Sequence, residues 1–180
     1  LVEQYFENLL DQIFGKHRDG LDKKEENQPD AIITHENYTL IFEFTVEYYR
    51  MAALYGSSYA DIYKDLDKLL FNKKKKKKAQ PGKFINLDKY VSQELEKSTN
   101  KIIIPILVTE RYLGDYELLS QTQFELDKKV KEHKLTNLQK FHPLILCLDD
   151  LEIFCGFTDP KNGDQSIQLF IDSIESWQKE

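Results

Sequence analysis

The sequence predicts an α/β protein in which a central mixed β-sheet is flanked by helices, with an α+β arrangement in the first half. Three observations support this class. Two β-rich segments follow each other closely within residues 31–47, two more buried strands are separated by helical patterns, and amphipathic helices stand at both ends. A length of 180 residues suits one domain, 1–180, with a sizeable core.

The first element is an amphipathic helix. Its apolar stripe consists of Val2, Phe6, Leu9 and Ile13. Gly15 is well placed to end it, and residues 16–28 are polar and predicted to form a loop. Glu3 lies at the edge of the stripe, so its carboxylate is expected to reach toward whatever the stripe packs on.

A β-hairpin follows, with strands predicted at 31–34 and 38–47 and a turn at 35–37. Because side chains alternate across a strand, one face of the second strand carries Ile41, Glu43, Thr45 and Glu47. The other face carries Phe42, Phe44 and Val46. Glu43 stands mid-strand, where burial is costly without a partner.

The remaining elements alternate between helices and strands. An amphipathic helix is predicted at 57–71, a flexible lysine-rich loop at 72–84 and a short helix at 87–95. The apolar run 102–108 reads as a buried strand, although Pro105 favours an edge position or a bulge. A polar helix at 116–133, a strand at 142–150, a short helix and a final amphipathic helix complete the order.

The charge distribution is uneven. The net charge of −6 means that the chain as a whole does not attract nucleic acid. Positive charge is concentrated in one unbroken run: Lys73, Lys74, Lys75, Lys76, Lys77 and Lys78. This run is either a solvated loop or an arm that contacts phosphates with salt-dependent, sequence-independent affinity.

Other sequence features concern the cellular location and the class of the protein. Cys147 and Cys155 have no CxxC spacing and are expected to be reduced thiols, which fits a cytoplasmic protein. No apolar run is long enough to span a bilayer, and no phosphate-binding loop occurs. The chain opens on Leu1 without a signal peptide, so we expect a piece of a larger multidomain protein.

Two carboxylates in the hairpin suggest a metal site. Asp30 precedes the first strand and Glu43 lies in the second, and with the carbonyl of Phe44 they form a minimal cradle for Mg²⁺, with Mn²⁺ as a substitute. Glu3 is a candidate for holding a water or a second ion. The alternatives are a simple turn role for Asp30 and a solvent-facing position for Glu43.

These residues resemble a known motif. Pro29-Asp30 at the head of one hairpin strand, and Glu43-Phe44-Thr45 in the next, are similar to the PD-(D/E)xK nuclease superfamily, which includes many restriction enzymes and DNA-repair nucleases. Glu3 falls where many members carry a helix-borne acid. The resemblance covers residues 1–149 and implies a restriction-endonuclease-like fold with Asp30 and Glu43 as metal ligands.

Thr45 departs from the family pattern. It stands where the family carries a lysine that is understood to orient or activate the attacking water. The resulting E-x-T resembles type IIS restriction nuclease domains. A replacement from Lys64 is rejected, because that residue points about 160° away from the apolar stripe of its helix.

The resemblance implies a metal-dependent DNA endonuclease domain of a restriction or phage-defence system. Asp30, Glu43, Thr45 and Glu3 would form its catalytic site. DNA, a recognition, ATPase or sensor module, and a second copy of the chain for cutting both strands would be its partners. The alternatives are an inactive nuclease-like domain that serves protein interaction or assembly, and an unrelated α/β binding domain.

Overall fold

The computed structural model describes residues 1–15, 28–45, 67–68, 70–72, 82–97, 102–110, 124, 126–157 and 163–179. These residues contain a four-stranded mixed sheet with helices packed on it, so the predicted α/β class is confirmed. The lysine run 73–78, Lys64, Val46 and Glu47 lie outside the described residues. Within the described residues, no helix has the length and apolar character needed to cross a membrane.

The helices and strands follow in chain order. They are α1 (Val2–Phe14), β1 (Ala31–His35), β2 (Tyr38–Thr45), α2 (Lys83–Lys97), β3 (Ile102–Thr109), α3 (Thr136–Lys140), β4 (Leu144–Cys147), α4 (Leu148–Cys155) and α5 (Gly163–Lys179). Further helical turns occur at 67–68, 70–71 and 126–132. The predicted hairpin is confirmed, with a two-residue turn at Glu36 and Asn37.

The sheet has the order β1-β2-β3-β4. Strand β1 runs antiparallel to β2, whereas β3 runs parallel to both β2 and β4. The start of β1 therefore lies at the same edge of the sheet as the carboxyl ends of the other three strands. In open α/β sheets, ligands bind outside the carboxyl ends of the strands, so this edge is where a functional site is expected.

Helices cover both faces of the sheet, and each face has its own hydrophobic cluster. The first cluster joins α1, α4 and α5 to the sheet and includes Phe6, Leu10, Phe14, Phe42, Phe44 and Phe170. The second joins α2, α3 and residues 126–132 to the opposite face and includes Ile41, Leu87, Tyr90, Leu107, Val130 and Leu138. The predicted alternation in β2 is confirmed, because Phe42 and Phe44 lie in one cluster and Ile41 in the other.

Strand β3 is central, which differs from the edge position that Pro105 suggested. Pro105 pairs with Ile41 of β2, whereas β4 begins only opposite Ile106. The proline therefore lies in a part of β3 that has a neighbouring strand on one side only. A missing backbone N–H is tolerated there for the same reason that it is tolerated in an edge strand.

Helix α2 begins earlier than the sequence predicted. It spans Lys83–Lys97 rather than 87–95, so Lys83 and Phe84 are helical and do not belong to the predicted loop 72–84. The helix is held at its middle by Asp88, whose carboxylate accepts hydrogen bonds from the N–H groups of Asn137 and Leu138 at 3.0 and 3.1 Å. This contact fixes α2 against the start of α3.

Gly82 allows α2 to start close to the preceding helical turn. Its N–H donates to the carbonyl of Asn72 at 2.8 Å. A Cβ atom at this position would lie 2.6 Å from the backbone nitrogen of Phe71 and still closer to the Leu70 carbonyl, so the backbone has no room for a side chain. The glycine thereby determines where Lys83, the next residue, enters the fold.

Replacing Gly82 with alanine is expected to lower the free energy of unfolding by about 2 kcal/mol or more, because the backbone must shift to admit the methyl group. Urea unfolding measures this change. Gly156→Ala is the matched control, since its added Cβ would lie 3.3 Å from the Ile153 carbonyl oxygen and should cost less. Equal stability of Gly82→Ala and the unmodified protein would contradict the close approach.

Candidate functional site

Asp30 and Glu43 lie opposite each other across the hairpin. The strand register pairs Ala31 with Phe42, and continuing it by one position places Asp30 opposite Glu43. The Asp30 N–H donates to the Phe42 carbonyl at 3.0 Å, so the pairing does extend to this residue. Directly opposed residues share a face of the sheet and have Cβ atoms about 5 Å apart. Both carboxylates are therefore on the face covered by α2.

Asp30 also ties the two strands together. Its Oδ2 atom accepts a hydrogen bond from the N–H of Phe44 at 2.6 Å. This contact joins two strands and differs from the simple turn role considered for Asp30. Phe44 thus meets the site through its N–H, while its ring packs on the other face against Phe6 at a centroid distance of 4.6 Å. The Phe44 carbonyl as a metal ligand stays a prediction.

Glu43 is buried, with 3% of its surface exposed, which rules out the solvent-facing alternative. Its Oε2 atom lies 2.8 Å from the Nζ atom of Lys83, forming an ion pair. A buried carboxylate without such a partner would be strongly destabilising. The ion pair therefore explains how an acid is accommodated in the middle of β2.

Lys83 was not predicted as a site residue. The sequence pattern assigned it to the lysine-rich loop, whereas the structure places it in the first turn of α2 beside Glu43. A sequence signal was present, because Phe84, Leu87 and Val91 follow Gly82 at helical spacing. That pattern indicates a helix start directly after the glycine, but it does not reveal which strand the helix packs on.

The site carries more negative than positive charge. The pKa of Glu43 is raised to about 7, chiefly by burial; Lys83 opposes this rise and the charge of Asp30 adds to it. Burial also raises the pKa of Asp30. The Phe44 N–H and Lys83 lower this pKa, whereas the charges of Glu3 and Glu7 raise it. For Lys83, burial lowers the pKa, but Glu43, Asp30 and Glu3 outweigh it and raise the value above its usual range.

Two other predicted site residues lie near this group. Thr45 ends β2 on the same face as Glu43, is 5% exposed and pairs in the register with Thr109 of β3. Glu3 is exposed on α1, and its charge acts on both Asp30 and Lys83. The structure thus brings Asp30, Glu43 and Thr45 together with Lys83, and Glu3 contributes by its charge.

The donor set fits one mode of metal binding and excludes another. Within the described part of the chain, no group of three or more His, Cys, Asp or Glu side chains is suited to hold a metal ion. A cage made of protein ligands alone is therefore not formed by these residues. Mg²⁺, however, is commonly held by one or two carboxylates together with waters and substrate oxygens. Asp30 and Glu43 fit that mode, because they lie opposite each other across the hairpin and on the same face of the sheet.

Comparison with known proteins does not indicate a function for this chain. No family model, no curated protein and no solved structure matches this chain.

Replacing Lys83 with methionine is expected to raise the pKa of Glu43 above about 7 in the metal-free protein, because the main effect opposing burial is removed. The ¹³Cδ resonance of Glu43, followed by NMR as a function of pH, measures this shift. Lys97→Met is the control, because Lys97 lies on the same helix in an exposed pair with Glu94. A Glu43 titration unchanged by Lys83→Met would contradict the ion pair.

The sign of the accompanying stability change follows from linkage. A carboxylate whose pKa is raised on folding contributes stability that is complete below its unfolded value of 4.5 and is lost as the pH rises through about 7. The Lys83→Met protein should therefore lose stability over a range that extends to higher pH than in the unmodified protein. Urea unfolding from about pH 5 to about pH 9 tests this expectation.

Proposed function

We propose that this chain is a Mg²⁺-dependent DNA endonuclease domain that hydrolyses phosphodiester bonds, as its motif implies, with Lys83 supplying the positive charge that is missing at position 45. The observation that carries the proposal is the meeting of two carboxylates and one lysine, Asp30, Glu43 and Lys83, at the carboxyl edge of the sheet. A role in restriction or phage defence is part of the same proposal and follows from the resemblance alone.

The two carboxylates have the metal-binding role in this proposal. Asp30 and Glu43 would hold the ion, and each uses one carboxylate oxygen in a contact with the protein, Oδ2 with Phe44 and Oε2 with Lys83. When bound, Mg²⁺ polarises a phosphoryl oxygen and lowers the pKa of a bound water. Glu3 adds negative charge at the rim, where it would support the ion through a water.

Lys83 has a different role from that of the acids. Its pKa is raised, so the ammonium group stays protonated at neutral pH and does not act as a general base. A fixed ammonium group instead donates hydrogen bonds to the attacking water or to a phosphoryl oxygen, and it stabilises the negative charge that develops in the transition state. The hydroxyl group of Thr45 can orient a water but brings no charge.

The lysine run is attached beside this site. The described residues that flank it are Asn72 and Gly82, which are joined by a hydrogen bond of 2.8 Å, and Lys83 comes directly after Gly82. Both points at which the segment 73–81 joins the described fold therefore lie next to the proposed catalytic lysine. In this proposal Lys73–Lys78 contact DNA phosphates, which an acidic chain with a net charge of −6 needs for local attraction.

The partners remain those that the motif implies. A recognition, ATPase or sensor module would bring specificity, and a second copy of the chain would allow both DNA strands to be cut. A separate candidate function is an inactive scaffold, and one observation favours it. The ion pair at 2.8 Å already neutralises much of the charge of Glu43 without any metal.

The first test is Mg²⁺- or Mn²⁺-dependent nicking of a plasmid. Asp30→Asn and Glu43→Gln are each expected to reduce cutting by at least about 100-fold, because each substitution removes a ligand of the ion that stabilises the transition state. Lys83→Met should reduce it by a similar factor, whereas Glu36→Gln, in the exposed hairpin turn, and Lys97→Met should not.

The outcomes of the nicking assay separate the candidate functions. Cutting that survives both carboxylate substitutions removes the proposed site. Absence of cutting by the unmodified full-length protein with every metal and partner tested favours the scaffold.

The second test concerns DNA attraction. Replacing three lysines of the run with glutamine is expected to reduce the slope of log affinity against log salt by about 0.9 for each phosphate that the run no longer neutralises. The substituted residues would be Lys74, Lys76 and Lys78. The control makes the same change in net charge at the exposed residues Lys97, Lys128 and Lys131. Fluorescence anisotropy with a labelled duplex measures the affinity of both variants. Equal slopes in the two variants would contradict the proposal that the lysine run contacts DNA.

A further inference from the structure

Lys83 lies at a position of α2 that is unfavourable for a positive charge. It is the first residue of the helix, and the first turn carries no acidic residue. The N-terminal end of a helix has a partial positive charge, so a lysine there is repelled by it. Burial adds to this cost, because only 24% of the Lys83 side chain is exposed. The acid that offsets both costs, Glu43, belongs to the sheet and not to the helix.

The ammonium group of Lys83 contacts one of the two carboxylates that would hold a divalent ion. It donates to the Oε2 atom of Glu43 at 2.8 Å, and Asp30 already uses its Oδ2 atom to accept the Phe44 N–H at 2.6 Å. An ion held by these two acids would therefore share the Glu43 carboxylate with a positive charge. Glu43 is only 3% exposed, so water screens the repulsion between the two cations weakly. Lys83 thus makes the two acids a poorer site for a divalent ion.

The same ammonium group favours the binding of an anion. The Lys83 side chain is partly exposed, unlike that of Glu43, so it can meet a ligand from outside the fold. A lysine ammonium group has three donor hydrogens, and the hydrogen bond to Glu43 uses one of them. Phosphodiester oxygens carry negative charge and accept strong hydrogen bonds from ammonium groups. Lys83 therefore acts in opposite directions on the two ligands of the proposed site.

We infer that Lys83 weakens divalent-ion binding by Asp30 and Glu43 and strengthens phosphodiester binding, so that the ion is held firmly only together with the phosphodiester. The negative charge of the phosphodiester offsets the positive charge of the ammonium group, and its oxygens complete the ligands of the ion. By linkage, each ligand then raises the affinity of the other by the same factor. The inference rests on the proposed function and deepens it, because it makes Lys83 a control on when the ion binds as well as a donor during hydrolysis.

A purely structural role for Lys83 would give a different result. If Lys83 only held α2 on the sheet, its removal would loosen the site and weaken the binding of both ligands. In the inferred role, its removal strengthens ion binding and weakens phosphodiester binding. Opposite changes in the two affinities are therefore the observation that identifies this role.

The first measurement is Mg²⁺ binding without a phosphodiester, followed through the ¹³Cδ resonance of Glu43. A pH of about 9 lies above the Glu43 pKa of about 7 and below the raised pKa of Lys83, so protons compete little with the ion. Lys83→Met is expected to bind Mg²⁺ at least about 10-fold more tightly, because a neighbouring positive charge is removed. Lys97→Met, at the other end of α2, is the control and should bind Mg²⁺ like the unmodified protein.

Two further variants separate the effect of charge from an effect on folding. Lys83→Gln keeps a hydrogen-bond donor for the Glu43 carboxylate without the charge, and it serves the same test if Lys83→Met does not fold. Lys83→Arg keeps the charge and is expected to keep the weak Mg²⁺ binding of the unmodified protein. Urea unfolding establishes that each variant is folded.

The second measurement is the binding of dimethyl phosphate, a stable phosphodiester, to protein saturated with Mg²⁺. The same Glu43 resonance follows it. Lys83→Met and Lys83→Gln are expected to weaken this binding by about 10-fold or more, because a hydrogen bond to a charged group and its charge are lost. In the unmodified protein, dimethyl phosphate should raise the Mg²⁺ affinity at least about fivefold, whereas neutral trimethyl phosphate should not.

The outcomes distinguish the inference from the proposed function. Mg²⁺ binding that both neutral variants leave unchanged or weaken overturns the inference, and so does dimethyl phosphate binding that they do not weaken. The hydrolase proposal stands in either case if the unmodified protein cuts DNA through Asp30 and Glu43. Opposite changes in the two affinities in a protein that never cuts support the inference while removing hydrolysis. A Glu43 resonance that Mg²⁺ moves in no variant overturns both the inference and the proposed function.

Discussion

The ion pair between the buried Glu43 and the partly buried Lys83 is the interaction that organises the site. A carboxylate with 3% exposure in the middle of a strand is tolerated only if a cation reaches it. Lys83 does so at 2.8 Å from a helix 40 residues further along the chain. The position of α2 over the sheet is thereby linked to the charge in β2. Gly82 and Asp88 also fix the position of α2. Gly82 allows the helix to begin close to the backbone of Leu70 and Phe71, and Asp88 binds the start of α3 from the middle of the helix.

Asp30 links the local hairpin to this pair. Its carboxylate accepts the N–H of Phe44, and its own N–H binds the Phe42 carbonyl, so the two hydrogen bonds enclose Glu43 on the neighbouring strand. Burial raises the pKa values of both acids, and the charge of Asp30 raises that of Glu43 further. The hairpin therefore holds its two acids in an electrostatically unfavourable arrangement that a cation relieves. Lys83 provides part of that relief, and a divalent ion would provide more.

The group around Glu43 contains more than a single ion pair. The acceptor oxygens come from Asp30, directly before β1, and from Glu43 in β2, whereas the donor, Lys83, comes from α2. A structural pair needs one donor and one acceptor that satisfy each other. Here the charges of two carboxylates, Glu43 and Asp30, act on one ammonium group. That surplus of negative charge is the physical argument for the cation in the proposed function.

Local periodicity was enough to predict those features that depend on near neighbours in the chain. Alternation along β2 placed Phe42 and Phe44 on one face and Ile41 and Glu43 on the other, and the hairpin followed from two β-rich segments around a short turn. The strand that contains Pro105 was predicted, but its central position in the sheet was not. Its pairing partners are distant in the sequence, so the sequence pattern does not identify them. Lys83 joined the site only once the helix was packed. Lys83 and Glu43 are 40 residues apart in the sequence, and this spacing does not predict their contact. The contact depends on which face of the sheet the helix between β2 and β3 covers.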